Sequence, residues 1–219
     1  MSADSPATYG DLREERSMAA TLDIWVDPVC PWTWLTSQWM REVEQVRDVR
    51  ATFRVMSLAV LNEEKYDPDL LDMAWGPVRV LTVTELAEGF DAVRALYFAL
   101  GALIHIERRR TFDRDFYAAA LHRAGLPFSL ANAVWSPYYD AEVRARHETA
   151  VAPVGGGLGS PIIHMRQSSG GLAGFFGPVV NRCPRGEAAG RLWDSVALAA
   201  ENETFYELKR NRVGGPIFD

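Results

Sequence analysis

Cys30 stands in the run Asp27-Pro28-Val29-Cys30-Pro31-Trp32-Thr33, where a short apolar segment gives way to an amphipathic one. A cysteine thiolate is a sulfur nucleophile, suited to thiol–disulfide exchange or to attack on a small electrophile. Pro31 fits the first position of a helix because it has no N–H to leave unpaired. Cys30 then falls at the N-cap, over free backbone amides and the positive end of the helix dipole, both of which favour thiolate over thiol. The competing reading is a small cysteine buried in a core. Thr33 occupies the position at which a dithiol motif carries its second cysteine. Its hydroxyl can hydrogen-bond a sulfur one turn away but cannot close a disulfide, so the predicted chemistry uses one thiol. Cys183, in Asn181-Arg182-Cys183-Pro184, also sits at a helix start. It reads as a bystander, with a redox role left open.

Other residues are candidates for holding a ligand near Cys30. Trp32, next to the nucleophile in the first turn, does not share the core-facing stripe of Trp34 and Leu35, so its indole is available to substrate or a thiol. Asn62, Tyr66 and Trp75 follow the end of a second strand, the edge where open α/β sheets bind ligands; ordinary packing explains them equally well. Ser160-Pro161 enters a later strand after a glycine-rich stretch, and an X-Pro bond there is a candidate for the cis form, although most such bonds are trans. His164 follows on that strand and is within reach of the site or is simply packed. The glycines at 155, 156, 157 and 159 lack the Lys-Ser/Thr continuation of a phosphate loop. His105, His122, His147 and His164 show no metal-ligand spacing, so no metal is expected. Arg108-Arg109-Arg110 reads as a solvated helix end.

The elements that must position these residues follow from periodicity. Residues 21–26 read as a strand, and Trp34, Leu35, Trp39, Met40, Val43 and Val46 recur at helical spacing after it. Residues 51–58 give a second strand, completing a βαβ unit with a helical crossover. From 66 to 150 strand signals are missing and several helices are predicted, with an interruption at Gly89, a cap at Thr111, a stop at Gly125 and caps at Ser129 and Ser136. Strand character returns at 162–165 with a hairpin partner at 174–180, and residues 184–200 form a last amphipathic helix. The order βαβ, helices, ββα argues for an α/β sheet domain split by a helical insertion. The predicted division is an N-terminal extension at 1–20, a sheet domain at 21–62 and 158–205, an insertion at 63–157 and a tail at 206–219.

Composition narrows the function. A 219-residue chain with net charge −6 offers no support for nucleic-acid binding, and no apolar stretch reaches membrane-spanning length. The first twenty residues are polar where a secretory signal needs an apolar core, so a cytoplasmic location is expected. In such a reducing compartment two cysteines are not expected to form a structural disulfide. The composition is compatible with a homodimer and dictates no oligomeric state.

The strand–Cys-Pro helix, the insertion and the Ser160-Pro161 strand together resemble the DsbA-like branch of the thioredoxin fold. More closely, the chain resembles the mycothiol-dependent nitroreductases of that branch. The resemblance is carried by residues 27–34, by Val55-Met56-Ser57-Leu58-Ala59-Val60-Leu61-Asn62, by Ala74-Trp75-Gly76-Pro77, by Phe176-Gly177-Pro178-Val179, by Pro184-Arg185-Gly186-Glu187 and by the tail from Glu207 to Asp219. It implies an α/β, thioredoxin-like fold with an all-helical insertion. It also implies a cis Ser160-Pro161 bond beside Cys30, and mycothiol or another low-molecular-weight thiol as co-substrate acting with a small-molecule electrophile. Characterised members have a cysteine where this chain has Thr33. Three functions follow: a monothiol reductase or transferase using Cys30; a protein like the kappa-class glutathione transferases, in which a bound thiol is the nucleophile and Thr33 or Cys30 orients it; or a non-catalytic ligand-binding member of the fold.

Overall fold

The computed structural model describes residues 20–156 and 158–218, so the predicted extension lies, apart from Ala20, outside the described residues. Strand β1 (Ala20–Val26) runs parallel to β2 (Val49–Val55), and α1 (Pro31–Val46) makes the crossover between them. Strand β3 (Ile162–Arg166) pairs antiparallel with the other edge of β1, and β4 (Leu172–Phe176) closes the hairpin, giving the order β2-β1-β3-β4. Helix α7 (Glu187–Ala200) packs on α1, where the Trp39 indole donates to the Ala189 carbonyl at 3.1 Å.

Strand alternation divides the sheet into two faces. Leu22, Ile24 and Val26 join Phe53, Val55, Ile163 and Met165 in the main core, together with Trp34, Trp39, Met40 and Val43 of α1. Trp25 and Ile162 point the other way and pack with Met56 and Ala150. Burial of this apolar surface on both faces is the main driving force for the domain.

Between β2 and β3 the chain is helical. It forms α2 (Leu58–Leu61), α3 (Pro68–Glu88), α4 (Phe90–Gly101), a π-helical turn (Ala102–Ile106), α5 (Arg114–Ala124) and α6 (Asp140–Val151), with 3₁₀ turns at Phe128–Ala133 and Pro137–Tyr139. Gly89, at φ 82°, breaks α3 from α4, and Gly125, at φ 69°, ends α5. Both sit in the left-handed region that glycine enters without a Cβ penalty. Arg79 of α3 grips Asp140 of α6 through two hydrogen bonds of 2.6 and 2.9 Å, tying the insertion together.

Several boundaries differ from those read in the sequence. Strand β2 starts at Val49 and stops at Val55, because Ser57 turns the chain by accepting the Val60 amide as an N-cap. Asp113, rather than Thr111, caps α5 by accepting the Phe116 amide at 2.9 Å. Ser129 lies inside a 3₁₀ turn, and Ser136 caps only the short turn at Pro137–Tyr139. The last helix begins at Glu187, not at 184.

Gly101 links the two parts of the molecule. A Cβ at this position would collide with ring carbons of Trp34, so the absence of a side chain lets the end of α4 lie against the first turns of α1. Gly101→Ala is therefore expected to destabilise the protein by about 1–3 kcal/mol through overpacking. The measurement is urea unfolding, with a lower midpoint at unchanged slope; an unchanged midpoint would show that the ring yields freely.

Candidate active site

The turn leading into α1 is built by its own backbone. The Cys30 amide donates to the Asp27 carbonyl at 3.1 Å, and the Cys30 carbonyl opens the helix by accepting the Trp34 amide at 3.0 Å. Cys30 is the N-cap, with extended backbone, and Pro31 follows at the first helical position. The cap is not a hydroxyl or carboxylate side chain but a thiol, which leaves the first amides of α1 facing the sulfur. The Trp32 and Thr33 amides and the Thr33 hydroxyl favour negative charge on it.

Ser160–Pro161 is cis and reaches the same point from the far side of the sheet. The Cys30 thiol donates to the Ser160 carbonyl at 3.6 Å, and the Thr33 and Ser160 hydroxyls are directly hydrogen-bonded to each other. The structure thus brings Cys30, Pro31, Thr33, Ser160 and Pro161 into one cluster. Cys30 is only 4% exposed.

That burial corrects the expectation of a resting thiolate. Desolvation is the largest influence on the Cys30 thiol and pushes it up from the ordinary cysteine value; the Thr33 hydroxyl and the Thr33 and Trp32 amides pull it down, and Asp27 raises it further. The amides are where the helix start predicts them. They do not outweigh removal of the sulfur from water.

Asp27 escaped the sequence analysis as a candidate. Its carboxyl is fully buried, accepting the Val29 amide at 2.9 Å and the Leu58 amide at 2.7 Å. Burial pushes it up from 3.8 to about 7, against the pull of those two amides. A carboxylate at the carboxyl end of a parallel strand, three residues before a helix-capping cysteine, was the available signal. Tyr66 belongs to the same electrostatic neighbourhood: its phenol is pushed up by burial and then by the charges of Asp27 and Cys30, while a hydrogen bond with Asn62 pulls it down. Asn62 is held in turn by donating to the Leu58 carbonyl at 2.9 Å.

Two candidates are engaged in packing of their own. His164 lies on the sheet face opposite Ile163, where its Nδ1 accepts the Trp25 indole N–H at 3.0 Å and its Nε2 donates to the Ala150 carbonyl at 3.0 Å. The period of two along β3 turns it away from α1, and both ring nitrogens are engaged. Trp75 is buried in α3, its ring faced by the guanidiniums of Arg79 at 5.1 Å and Arg144 at 5.2 Å, so it serves the packing of the insertion. Trp32 is half-buried rather than open, with the Arg212 guanidinium of the tail 5.2 Å from its ring. Neither cysteine is in a disulfide, and the Cys183 sulfur is buried close to the Pro184 carbonyl.

The sequence also gave no sign that the tail and the π-helical turn approach the site. His105 Nε2 donates to the Pro28 carbonyl at 2.8 Å, and its ring packs 5.5 Å from both Trp34 and Phe218. Burial holds this imidazole down to about 4, which keeps it neutral at physiological pH. A cavity of about 540 Å³ opens here, bordered by Val29, Pro31, His105 and Phe218. Among the described residues no group of side chains is arranged to hold a metal, and no helix is long and apolar enough to cross a membrane.

Comparison with known proteins adds to this geometry. The family model named Rv2466c-like, described as mycothiol-dependent nitroreductase Rv2466c, matches residues 29–210. The chain is 28% identical over 195 residues to the uncharacterized protein Rv2286c of Mycobacterium tuberculosis, the match covering 87% of this chain and 81% of that protein. Among solved structures it is similar to a probable DsbA oxidoreductase, SCO1869, from Streptomyces coelicolor, with TM-score 0.52 and 17% identity over 89% of this chain and 94% of that one. It is also similar to a periplasmic thioredoxin-like protein from Salmonella enterica serovar Typhimurium, with TM-score 0.50 and 16% identity over 85% and 86% of the two chains. The fold is thioredoxin-like with a helical insertion, as the sequence predicts.

Asp27 gives a pH signature. The native state keeps its proton up to about pH 7, whereas the unfolded chain releases it near 3.8, so unfolding releases a proton between those values and stability falls as pH rises through that window. Asp27→Asn removes this dependence. Relative to the variant, the wild type is expected to lose stability by on the order of 4 kcal/mol between pH 4 and 7. Parallel stability–pH curves in denaturant for the two proteins would show that the carboxyl is not shifted.

Proposed function

The chain belongs to the Rv2466c-like family of mycothiol-dependent nitroreductases, thiol-based oxidoreductases, and on that premise we propose that it works with a single catalytic sulfur. Cys30 is the nucleophile. Thr33 and the amides of α1 stabilise negative charge on Sγ as it develops, and Asp27, shifted to about 7, accepts the thiol proton. Mycothiol, or another low-molecular-weight thiol, is the proposed co-substrate.

In the proposed cycle Sγ attacks one sulfur of a mixed disulfide between the small thiol and an acceptor. A new S–S bond joins Cys30 to the small thiol, the acceptor leaves as a thiolate, and the proton held by Asp27 goes to it. Thr33 offers no sulfur to resolve the adduct. A second molecule of the small thiol attacks the bound one, leaves as its symmetrical disulfide and returns Cys30 to the reduced state. Per cycle the mixed disulfide is reduced to the acceptor thiol and one free molecule of small thiol is oxidised, leaving as the symmetrical disulfide with the small thiol that the mixed disulfide carried in. The cavity of about 540 Å³ next to Val29 and Pro31 has room for such a molecule.

The observation that carries this reading is the junction at the sulfur, where the Cys30 thiol, the Thr33 hydroxyl and the Ser160 carbonyl meet. One further observation favours a second reading. Because burial raises the Cys30 thiol, a bound small thiol is an alternative nucleophile, with Thr33 and Cys30 orienting it for addition to an electrophile. Thiol-dependent turnover of Cys30→Ser separates the two. A fall of about a thousandfold or more is expected if Cys30 attacks, and retention of a tenth or more of the rate would transfer the role to the bound thiol. Thr33→Cys is expected to make the protein form an internal disulfide with Cys30 on mild oxidation, seen as a loss of two free-thiol equivalents. Failure to form it would show that the sulfur cannot reach position 33.

A further inference from the structure

The arginine run 108–110 divides into two kinds of residue. Arg109 faces Asp113 at 3.8 Å, and the neighbouring Glu107 is taken by Arg123. Arg108 and Arg110 form no ion pair among the described residues, and both line the cavity that Val29 and Pro31 border on either side of Cys30. Arg108 reaches that wall from a left-handed backbone conformation, φ 57°, the one non-glycine residue with positive φ among those described. It is the left-handed residue that ends the π-helical turn, where the Arg109 amide donates back to the Leu103 carbonyl at 3.0 Å. The Phe218 ring and the neutral His105 ring supply an uncharged wall. Two guanidiniums without an ion pair among the described residues, in a cavity that borders the turn of Cys30, are a local exception in a chain of net charge −6.

We propose that this cavity receives the electrophile and selects one that carries a carboxylate, which Arg108 and Arg110 hold while the reactive atom faces Cys30. A guanidinium matches a carboxylate through paired N–H donors and keeps its charge at every relevant pH. The inference rests on Cys30 being the nucleophile of the reading above, and it adds the chemical class of the substrate.

Iodoacetate and iodoacetamide test it as a matched anionic and neutral pair. Each forms a thioether at Sγ as the C–I bond breaks, iodide leaves and the thiol proton passes to buffer. The readout is the ratio of the two rates at Cys30, followed by peptide mass so that Cys183 does not contribute. In the double variant Arg108→Asn, Arg110→Gln the iodoacetate-to-iodoacetamide ratio is expected to fall about tenfold, and in Arg110→Gln alone about threefold. Asn tolerates the positive φ at 108, and the single variant leaves that backbone untouched. Arg109→Gln is expected to leave the ratio unchanged. A ratio equal to that of the wild type in both the double and the single variant, or an equal fall in Arg109→Gln, would overturn the inference and leave the nucleophile reading standing. Failure of wild-type Cys30 to react with either reagent would overturn the nucleophile reading and this inference with it.

Discussion

The junction of Cys30, Thr33 and Ser160 is the constraint on which the site depends. It joins two positions separated by 130 residues of sequence, one at the start of α1 and one at the entrance to β3. Their meeting is fixed by the central strand: β1 delivers the turn that starts α1, and β3 pairs antiparallel with β1 in a register that sets Ile24 opposite Ile163. A slip by one residue would turn Ile163 out of the core, so packing and the position of the Ser160 carbonyl are enforced together. Thr33 completes the arrangement by bonding across to Ser160 at the place where a second sulfur is missing.

Electrostatics at this junction is a contest between solvent exclusion and local dipoles. The amides at the start of α1 favour an anion at Sγ, but the sulfur is almost wholly out of water and desolvation prevails. The same exclusion acts on Asp27, pushed up to about 7 despite two backbone donors. Two acids sharing a buried turn do not both ionise readily, since each charge disfavours the other. Near neutrality the thiol therefore keeps its proton, and Asp27, pushed up to about 7, is the group of the turn poised to give or take one. A thiol held in this way is less exposed to oxidants than a standing thiolate, and in the proposed cycle it becomes a nucleophile only as its proton leaves.

Much of this was legible because strand and helix periods write themselves into short stretches of chain. Cys30 at a helix start, Pro31 after it, Gly89 and Gly125 as breaks and the return of strands after residue 160 are all local signals. What was hidden depends on three-dimensional burial. No local pattern shows that Asp27 is sealed beneath α2, that His164 is turned to the far face with Trp25, or that Trp75 is enclosed by Arg79 and Arg144. The tail was hidden for another reason. Residues after 200 carry no hydrophobic period, yet Arg212 lies over Trp32, the Ile217 amide donates to the Asn181 carbonyl at 2.7 Å, and Phe218 packs on His105. Such single contacts along an extended segment leave no pattern for composition or periodicity to detect.

Threonine in place of a second cysteine shifts control of the chemistry from the protein's own sulfur to whatever can reach the first one. In a dithiol site the resolving cysteine sits one helical turn away, and release of a mixed disulfide is intramolecular and fast. With Thr33 there instead, an adduct on Cys30 lasts until an external thiol arrives in line with the S–S bond. The approach is limited by what surrounds the sulfur. Thr33 and Ser160 close one side, and the tail passes over Trp32. The cavity between Val29, Pro31, His105 and Phe218 is open beside the same turn. In the proposed cycle the electrophile and the resolving thiol share that entrance. On the proposed assignment the charges lining that cavity, and not the sulfur alone, act on which electrophiles reach Cys30.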